Sequence, residues 1–535
     1  LLIKNTLSES DSMHAAPKRN TLIAHILTIS VLILFVFVSL LWSDSQSLIA
    51  HDEGLYARRA KLILESGDWL SPFSSPHHKT VGSYWATAIS LKLFGISDWA
   101  SRLPSTVAGL IATILFYLTA LRYFKPLNSL IASLALIAMP IYFQSLRTVG
   151  PDIIFIALLM AQIYFLISID DVSCPSSRWK ILGFGVCVSL AFFVRSLVII
   201  IPLVSLLPLI HSRHFFQFKE FWFWAVAGLF LGSIPLLFSL LSVFSDHGYA
   251  GLISLISFAS KKAGMTKLNF FSSFPFYFTR LTIFTFPAFI FFIPRIQSFK
   301  KKIFISKAQA SKVELNSLTV LFPLIYIIVL SCMGTRHFHY LTPLVPLLAL
   351  NIGRVDLTLK KSKFKFETIF ACVMGVFYLL GACALYLKRE DLLNASFYLG
   401  FYAVILSSIF CWYVFYVKVI ARRMLAPFVL VLAIVMAQYL TLFALSTSGI
   451  IWNTNMELKS LANSVNSECR SGAYLYGLPS KDVTILSFYM NNSYVLESLN
   501  ALSDLPRRCL ISAKSAREEI PKHLYNSKIS KAYLR

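Results

Sequence analysis

His51-Asp52-Glu53-Gly54-Leu55-Tyr56 stands directly after an apolar run, residues 22–42, and before a polar loop carrying Ser66-Gly67-Asp68-Trp69 and His77-His78-Lys79. At roughly 1.5 Å per residue, a run of about 21 residues is long enough to cross a ~30 Å hydrocarbon core. It lacks a small-residue cleavage site and so reads as a retained first span, not a removed signal segment. The chain opens on Leu1, and Met13 is the expected start. A carboxylate pair held where a membrane helix meets water, with cations a few dozen residues on, implies an enzyme site that meets lipid-linked molecules.

Outward from that point, 57% hydrophobic residues, 15% aromatic residues and a mean hydropathy of +0.69 exclude a water-soluble chain. Further spans are predicted at about 103–121, 127–146, 151–169, 181–194, 196–210, 221–243, 280–297, 316–333, 340–353, 366–387, 395–417 and 424–447. That gives an α-helical polytopic membrane protein of about 13 transmembrane helices, with its two ends on opposite sides. The net charge of +24 could suggest a nucleic-acid partner, but 23 of the Lys and Arg residues fall in the alternate loops on the N-terminal side. The loop after the first span instead balances six basic against six acidic residues. The positive-inside rule therefore puts the N-terminus in the cytoplasm and the carboxylate loop outside. No nucleic acid is implied, and the partners expected from charge are anionic membrane lipids.

Two regions are more than connections. In the outer loop, residues 43–102, the stretch 53–65 is predicted to form an interfacial helix. Its apolar face is Tyr56, Ala60, Ile63 and Leu64, with Arg58, Arg59 and Lys61 on the others. Gly67-Asp68-Trp69 ends it, and 84–94 reads as a second amphipathic helix. After residue 448 hydrophobicity falls, and strand-like runs at 473–476, 484–486, 494–496 and 509–511 alternate with helical stretches. Residues 1–448 are thus expected to form the membrane domain, and 449–535 a small extracytoplasmic α/β domain. Of the eight cysteines only Cys469 and Cys509 share that domain, where an oxidising compartment permits a disulfide.

Ionisable groups recur at the outward ends of several spans. Arg147 and Asp152 flank Gly150-Pro151, Arg195 sits at a tight turn between the fifth and sixth spans, and Arg336, His337, His339 and Tyr340 precede Leu341-Thr342-Pro343. Charges near membrane depth are costly unless paired or solvated, so an outward cavity is the economical explanation. Plainer roles are open to each. Asp52 can cap the interfacial helix, Asp152 can cap the fourth span or pair with Arg147, and Arg195 and Arg336 can snorkel to lipid phosphate. His77 and His78 look like a fragment of a metal site, although adjacent histidines rarely ligate one ion.

These residues form an ordered pattern. Asp52-Glu53-Gly54-Leu55-Tyr56, Leu64-Glu65-Ser66-Gly67-Asp68-Trp69-Leu70, Lys79 with Tyr84-Trp85, Leu93-Phe94-Gly95 and Ala100-Ser101-Arg102-Leu103-Pro104-Ser105 resemble the first outer loop of the GT-C membrane glycosyltransferases. The likeness is to enzymes such as the bacterial aminoarabinose transferases of lipid A, with the protein O-mannosyltransferases further off. It implies a GT-C fold in which Asp52 and Glu53, with Asp152, supply the catalytic carboxylates. The donor would be bound by Tyr56, Lys79, Arg147, Arg195, Arg336 and Tyr340. The chain departs from the pattern at His78-Lys79-Thr80-Val81, where relatives read an acidic residue and Lys-Pro-Pro, so His78 stands at the candidate metal position. The fourth outer loop, 244–279, offers Lys261 and Lys262 but no histidine after His247.

The expected activity is inverting transfer of a hexose or pentose from a polyprenyl-phosphate donor to a lipid, glycan or protein acceptor, at the outer face of the plasma membrane. A divalent metal ion is left open as cofactor. A transporter or lipid flippase is the rival, against which stand the amphipathic loop, the exported domain and the lack of paired broken half-helices. A degenerate, non-catalytic scaffold is a third reading. The joint presence of Asp52, Lys79 and Asp152 speaks against it.

Overall fold

The computed structural model describes residues 22–49, 52–75, 77, 79–172, 174–263, 270–286, 288–289, 291–292, 310–333, 336–354, 366–387, 397–419, 427–448, 456–469, 471–496, 506, 508–513 and 529–534. Of the residues singled out in the sequence, His51 and His78 lie outside the described residues, and so do the side chains of Lys261 and Lys262; the inward basic residues in 295–309 and 355–365 lie outside them too.

The first apolar run forms α1 (Leu22–Val38). The outer loop gives α2 (Glu53–Ser66) and α3 (Gly82–Phe94). The membrane bundle continues through α4 (Asp98–Leu121), the bent pair α5 (Pro126–Ile137) and α6 (Pro140–Arg147), α7 (Pro151–Ser168), α8 (Pro175–Arg195), α9 (Ile200–Ser212) and α10 (Lys219–Ala263). Next come α11 (Phe270–Phe284), α12 (Phe322–Ser331), α13 (Val345–Gly353), α14 (Phe366–Leu387), α15 (Phe397–Val419) and α16 (Pro427–Thr447). Proline at the first turn starts α5, α6, α7 and α8, where its missing N–H costs nothing. Ser97 starts α4 by accepting from the Ala100 N–H at 3.1 Å.

This is a multi-pass membrane protein. Among the described residues six helices are long and apolar enough to cross a bilayer, and the pair α5 and α6, bent by 67°, makes a seventh. Shorter apolar helices at Leu22–Val38, Phe338–Gly353, Ala371–Leu387 and Val431–Thr447 coincide with expected spans. The spans predicted at 181–194 and 196–210 are two halves of one apolar stretch, Pro175–Ser212, broken at Arg195. The outer loop predicted at 244–279 is helical up to Ala263 and again from Phe270. Its apolar Leu-Ile-Ser repeats extend α10 past a break at Gly248. Helices α8 and α10 pack backbone to backbone, because a Cβ on Gly228 would stand 2.1 Å from the Leu182 carbonyl oxygen.

The C-terminal region forms α17 (Met456–Glu468), β1 (Ala473–Tyr476), α18 (Ser480–Tyr489), β2 (Ser493–Val495), β3 (Arg508–Ser512) and β4 (Ile529–Leu534). The four strands are all parallel in the order β2-β1-β3-β4. A parallel β1–β2 pair needs a crossover. That explains why 484–486, read as a strand, lies instead inside α18, with Ile485, Leu486 and Phe488 buried on one side. Cys469 and Cys509 are joined by a disulfide, with their Cα atoms 6.2 Å apart.

Among the described residues there are two hydrophobic cores. One runs through the bundle. The other joins Ala57, Ala60 and Ile63 of α2 and Tyr84 of α3 to Leu458, Ile485, Phe488 and Ile511 of the C-terminal domain. Helix α2 is therefore sandwiched, and does not expose an open apolar face as an interfacial helix would. Lys61, assigned to a polar face, is 4% exposed for this reason.

Candidate active site

Helix α2 starts at Asp52 and stops at Gly67, whose positive φ of 73° lets its N–H bond back to the Ile63 carbonyl. Asp52 is exposed and its carboxylate makes no cap hydrogen bond, so the capping role open in the sequence is not used. Beyond Gly67, Asp68 folds the loop back by accepting from Leu70 N at 2.8 Å and Ser71 N at 3.0 Å, while Trp85 donates its indole N–H to the Trp69 carbonyl at 2.6 Å. The Ser-Gly-Asp-Trp motif is thus a turn that delivers Lys79 to α2.

Lys79 donates to the Tyr56 hydroxyl at 3.1 Å, and its ammonium stands 4.8 Å from the centre of that ring. The Tyr56 and Tyr84 rings are 5.4 Å apart, and Arg59 donates to the Tyr84 hydroxyl at 2.8 Å. Burial is the main cause raising the Tyr56 phenol pKa, with Tyr84 adding to it; Arg195 and Arg59 pull the other way. Tyr84 is raised by burial likewise. Both phenols therefore stay protonated through the neutral range and act as hydrogen-bonding groups.

Arg195 comes from the break after α8. Ser196 follows it with a φ of 53°, uncommon for a residue with a Cβ. The turn is pressed against the Lys79 segment: a Cβ on Gly82 would meet the Phe193 carbonyl oxygen at 2.7 Å, and the Thr80 and Ser196 hydroxyls are 3.3 Å apart. Arg195 forms an ion pair with Asp152 at the start of α7 and lies over the Tyr340 ring at 5.6 Å. Tyr340, 5% exposed, is held through its carbonyl by the Tyr326 hydroxyl at 2.9 Å. Asp52, Tyr56, Lys79, Asp152, Arg195 and Tyr340 thus converge from five segments at one end of the bundle.

Three of the assigned residues stand apart from this cluster. Glu53, grouped with Asp52 as a catalytic carboxylate, is buried and fully engaged. Arg102 grips it from Nε to Oε1 at 2.7 Å and from Nη2 to Oε2 at 2.9 Å, and the Ile49 and Val149 N–H groups donate at 2.9 and 3.0 Å. Arg147, expected at the donor, is 3% exposed and donates to the Ser39 and Leu41 carbonyls just past α1. It leaves Asp152 to Arg195, because α6 ends with its guanidinium turned toward α1. Arg336 is exposed and donates to Ser273 Oγ at 3.0 Å and Ser272 Oγ at 2.5 Å, so it flanks the cluster from the α11 side. Among the described residues no group of three or more His, Cys, Asp or Glu could hold a metal ion. The metal candidate His78 lies outside the described residues.

The sequence reading named Arg59 and Arg102 but gave neither a role in the site. Arg59 follows Tyr56 by one helical turn and was detectable as an i,i+3 neighbour. The partner of Arg102 lies 49 residues away, beyond any local signal.

Comparison with known proteins bears on the fold. The dolichyl-phosphate-mannose-protein mannosyltransferase family matches residues 78–238. The crystal structure of ArnT from Cupriavidus metallidurans bound to undecaprenyl phosphate superposes with a TM-score of 0.69 at 17% identity, over 88% of this chain and 85% of that one. The fold is that of the GT-C membrane glycosyltransferases. The apo form of the same GT-C protein gives a TM-score of 0.68. In sequence, the undecaprenyl phosphate-alpha-4-amino-4-deoxy-L-arabinose arabinosyl transferase of Aeromonas hydrophila is 27% identical over 194 residues, 35% of this chain and 36% of that protein. Its counterpart in Yersinia pestis is 26% identical over 184 residues, 33% of each. The chain thus matches about a third of the length of these relatives.

Proposed function

We propose that this protein transfers a monosaccharide from a polyprenyl-phosphate donor to an acceptor on the outer side of the plasma membrane, with its N-terminus in the cytoplasm and its C-terminal domain outside. The observation that carries the reading is the meeting of Lys79 and Arg195 with two carboxylates, Asp52 and Asp152, at one end of a GT-C bundle. The names of the relatives, which specify undecaprenyl phosphate and aminoarabinose, support a donor of the same class.

In the reaction the bond between the anomeric carbon and the donor phosphate breaks, and the acceptor oxygen bonds to that carbon from the opposite face, with inversion. The electron pair of the broken bond leaves on the phosphate. Fixed cations in a site screened from water stabilise that charge, the role of Lys79 and Arg195, with Arg336 at the flank. Asp152 holds the Arg195 guanidinium over Tyr340, so its direction is set before the donor arrives. Tyr56 is protonated and already accepts from Lys79, which leaves its O–H to donate to a donor oxygen. If the acceptor is a hydroxyl, Asp52 takes its proton as attack proceeds. If it is a phosphate, no base is needed, and Asp52 orients the incoming group.

The test is incubation of purified protein with a panel of polyprenyl-phosphate sugars and candidate acceptors, with and without a chelator, following release of free polyprenyl phosphate. One donor–acceptor pair should give stoichiometric release. The chelator arm decides whether a divalent cation takes part.

A further inference from the structure

We propose that the C-terminal domain is a working part of the transfer site and that Lys61 is the positioning residue through which it acts. The inference rests on the glycosyltransferase reading above. Lys61 lies five residues after Tyr56, about 140° further round the helix. One side of α2 therefore meets the transfer cluster and the opposite side meets the exported domain.

The contact is built from exposed ends of backbone. The Lys61 ammonium donates to the carbonyls of Ser487 at 3.1 Å, Phe488 at 3.1 Å and Met490 at 2.6 Å. Ser487 and Phe488 are in the last turn of α18 and Met490 caps it, where carbonyls lack partners within the helix and carry its negative dipole end. The charged groups nearest Lys61 are on its own helix: Glu65 at 3.7 Å, itself half exposed, and Arg58, which repels it. Burial is the main cause that lowers the Lys61 pKa. An ammonium seated away from water against carbonyls and one loose carboxylate is a costly way to fasten two elements that already share an apolar core. What it adds is direction, since three acceptors fix the azimuth of α2.

Two neighbouring contacts point the same way. Ile485 of α18 packs on Gly54, where a Cβ would come within 2.3 Å of its Cδ1, two residues from Asp52. The Tyr489 hydroxyl at the end of α18 donates to Asp98 Oδ1 at 2.6 Å and accepts from the Leu48 N–H at 2.7 Å. Lys459 of α17 pairs with Asp98 and donates to the Asp44 carbonyl at 2.6 Å. The exported domain thus grips the chain before Asp52, the turn beside it and the far side of the helix after it. The exposed Asp52 carboxylate has its direction set by the backbone of α2, and α18 sets that backbone.

Two kinds of measurement on the purified full-length chain test this. In Lys61→Met, kcat per folded molecule should fall by about ten- to a hundredfold, the cost of an ångström-scale misplacement. Binding of bare polyprenyl phosphate should fall much less than kcat, because Lys79 and Arg195 sit on other segments and only the Tyr56 contact of Lys79 moves with α2. Gly54→Ala should reproduce the loss by pushing on Ile485, and Gly54→Ala/Ile485→Ala, which makes room in the exported domain, should recover most of it. Should Lys61→Met not fold, this pair decides alone. Amide hydrogen exchange over residues 53–57 should be faster in Lys61→Met and in Gly54→Ala than in wild type. Wild-type kcat and wild-type exchange in the variants, or a double variant no better than Gly54→Ala, would overturn the proposal. Failure of the wild-type protein to release polyprenyl phosphate from any donor would refute the transferase reading instead. The exchange measurement would then decide the positioning claim.

Discussion

Replacing Glu53 by methionine separates a structural carboxylate from a catalytic one. Glu53 and Arg102 are 1% and 2% exposed, and the pair makes two mutual bonds. Glu53 also accepts from two backbone N–H groups, and Arg102 donates to the Ser43 carbonyl at 2.6 Å and the Ser47 carbonyl at 3.0 Å. Removing the carboxylate strands a buried guanidinium, at a cost of about 3–5 kcal/mol. Arg102→Met strands the carboxylate and should cost about as much. The double variant leaves no buried charge, only four backbone groups short of a partner at about 1 kcal/mol each, so it should cost about 4 kcal/mol, well below the sum of the singles. Thermal unfolding of the three variants in detergent, followed by intrinsic fluorescence, reads this directly. A Glu53→Met protein as stable as wild type but without activity would refute the argument and restore Glu53 to the chemistry.

Three further outcomes follow from the geometry. Lys79→Met and Arg195→Met should each weaken binding of bare polyprenyl phosphate by about 1.5–3 kcal/mol, ten- to a hundredfold, whichever sugar the donor carries, and Arg336→Met should cost less because its guanidinium lies on Ser272 and Ser273; equal affinities across the set in a titration would remove these cations from the donor site. Reducing Cys469–Cys509, which closes a separation of 40 residues, should destabilise the C-terminal domain by about 4 kcal/mol, seen as faster exchange in β1 and β3; unchanged exchange after reduction would contradict it. A cysteine placed at Tyr494, which is 41% exposed, should be labelled by an impermeant reagent from outside intact cells, and labelling only after lysis would reverse the topology.

The membrane class, the two outer helices and three of the four strands were legible because each depends on local pattern: long apolar runs, a 3.6-residue period, and short β-branched and aromatic stretches. The resemblance carried by the ordered motifs of the outer loop assigned Asp52, Tyr56, Lys79, Asp152, Arg195 and Tyr340 to one site, together with Glu53, Arg147 and Arg336, and the fold brings the first six to one end of the bundle. What the sequence could not supply was partner choice. Arg147 and Arg195 are both cations near a span end, and only the bend between α5 and α6, with the break after α8, decides which of them meets Asp152. Glu53 and Asp52 are adjacent and chemically alike. A single step along a helix turns one into the core and leaves the other in solvent. Residues 484–486 read as a strand because a run of three, Thr484-Ile485-Leu486, carries no period, and the parallel pairing that makes them helical is a fact of tertiary structure. Lys61 was placed on a solvated face because its acceptors are backbone carbonyls more than 400 residues away, which no side-chain pattern announces.

Asp52 is proposed to lie at the centre of a transferase acting on a polyprenyl-phosphate sugar. That role is tested most directly by counting, for purified wild-type protein and Asp52→Asn, the sugar transferred and the polyprenyl phosphate released from a labelled donor. Wild type should release one polyprenyl phosphate per sugar transferred, and an Asp52→Asn protein that folds normally and still binds the lipid phosphate should transfer none. Wild-type turnover by Asp52→Asn, or transfer without release of polyprenyl phosphate, would contradict it.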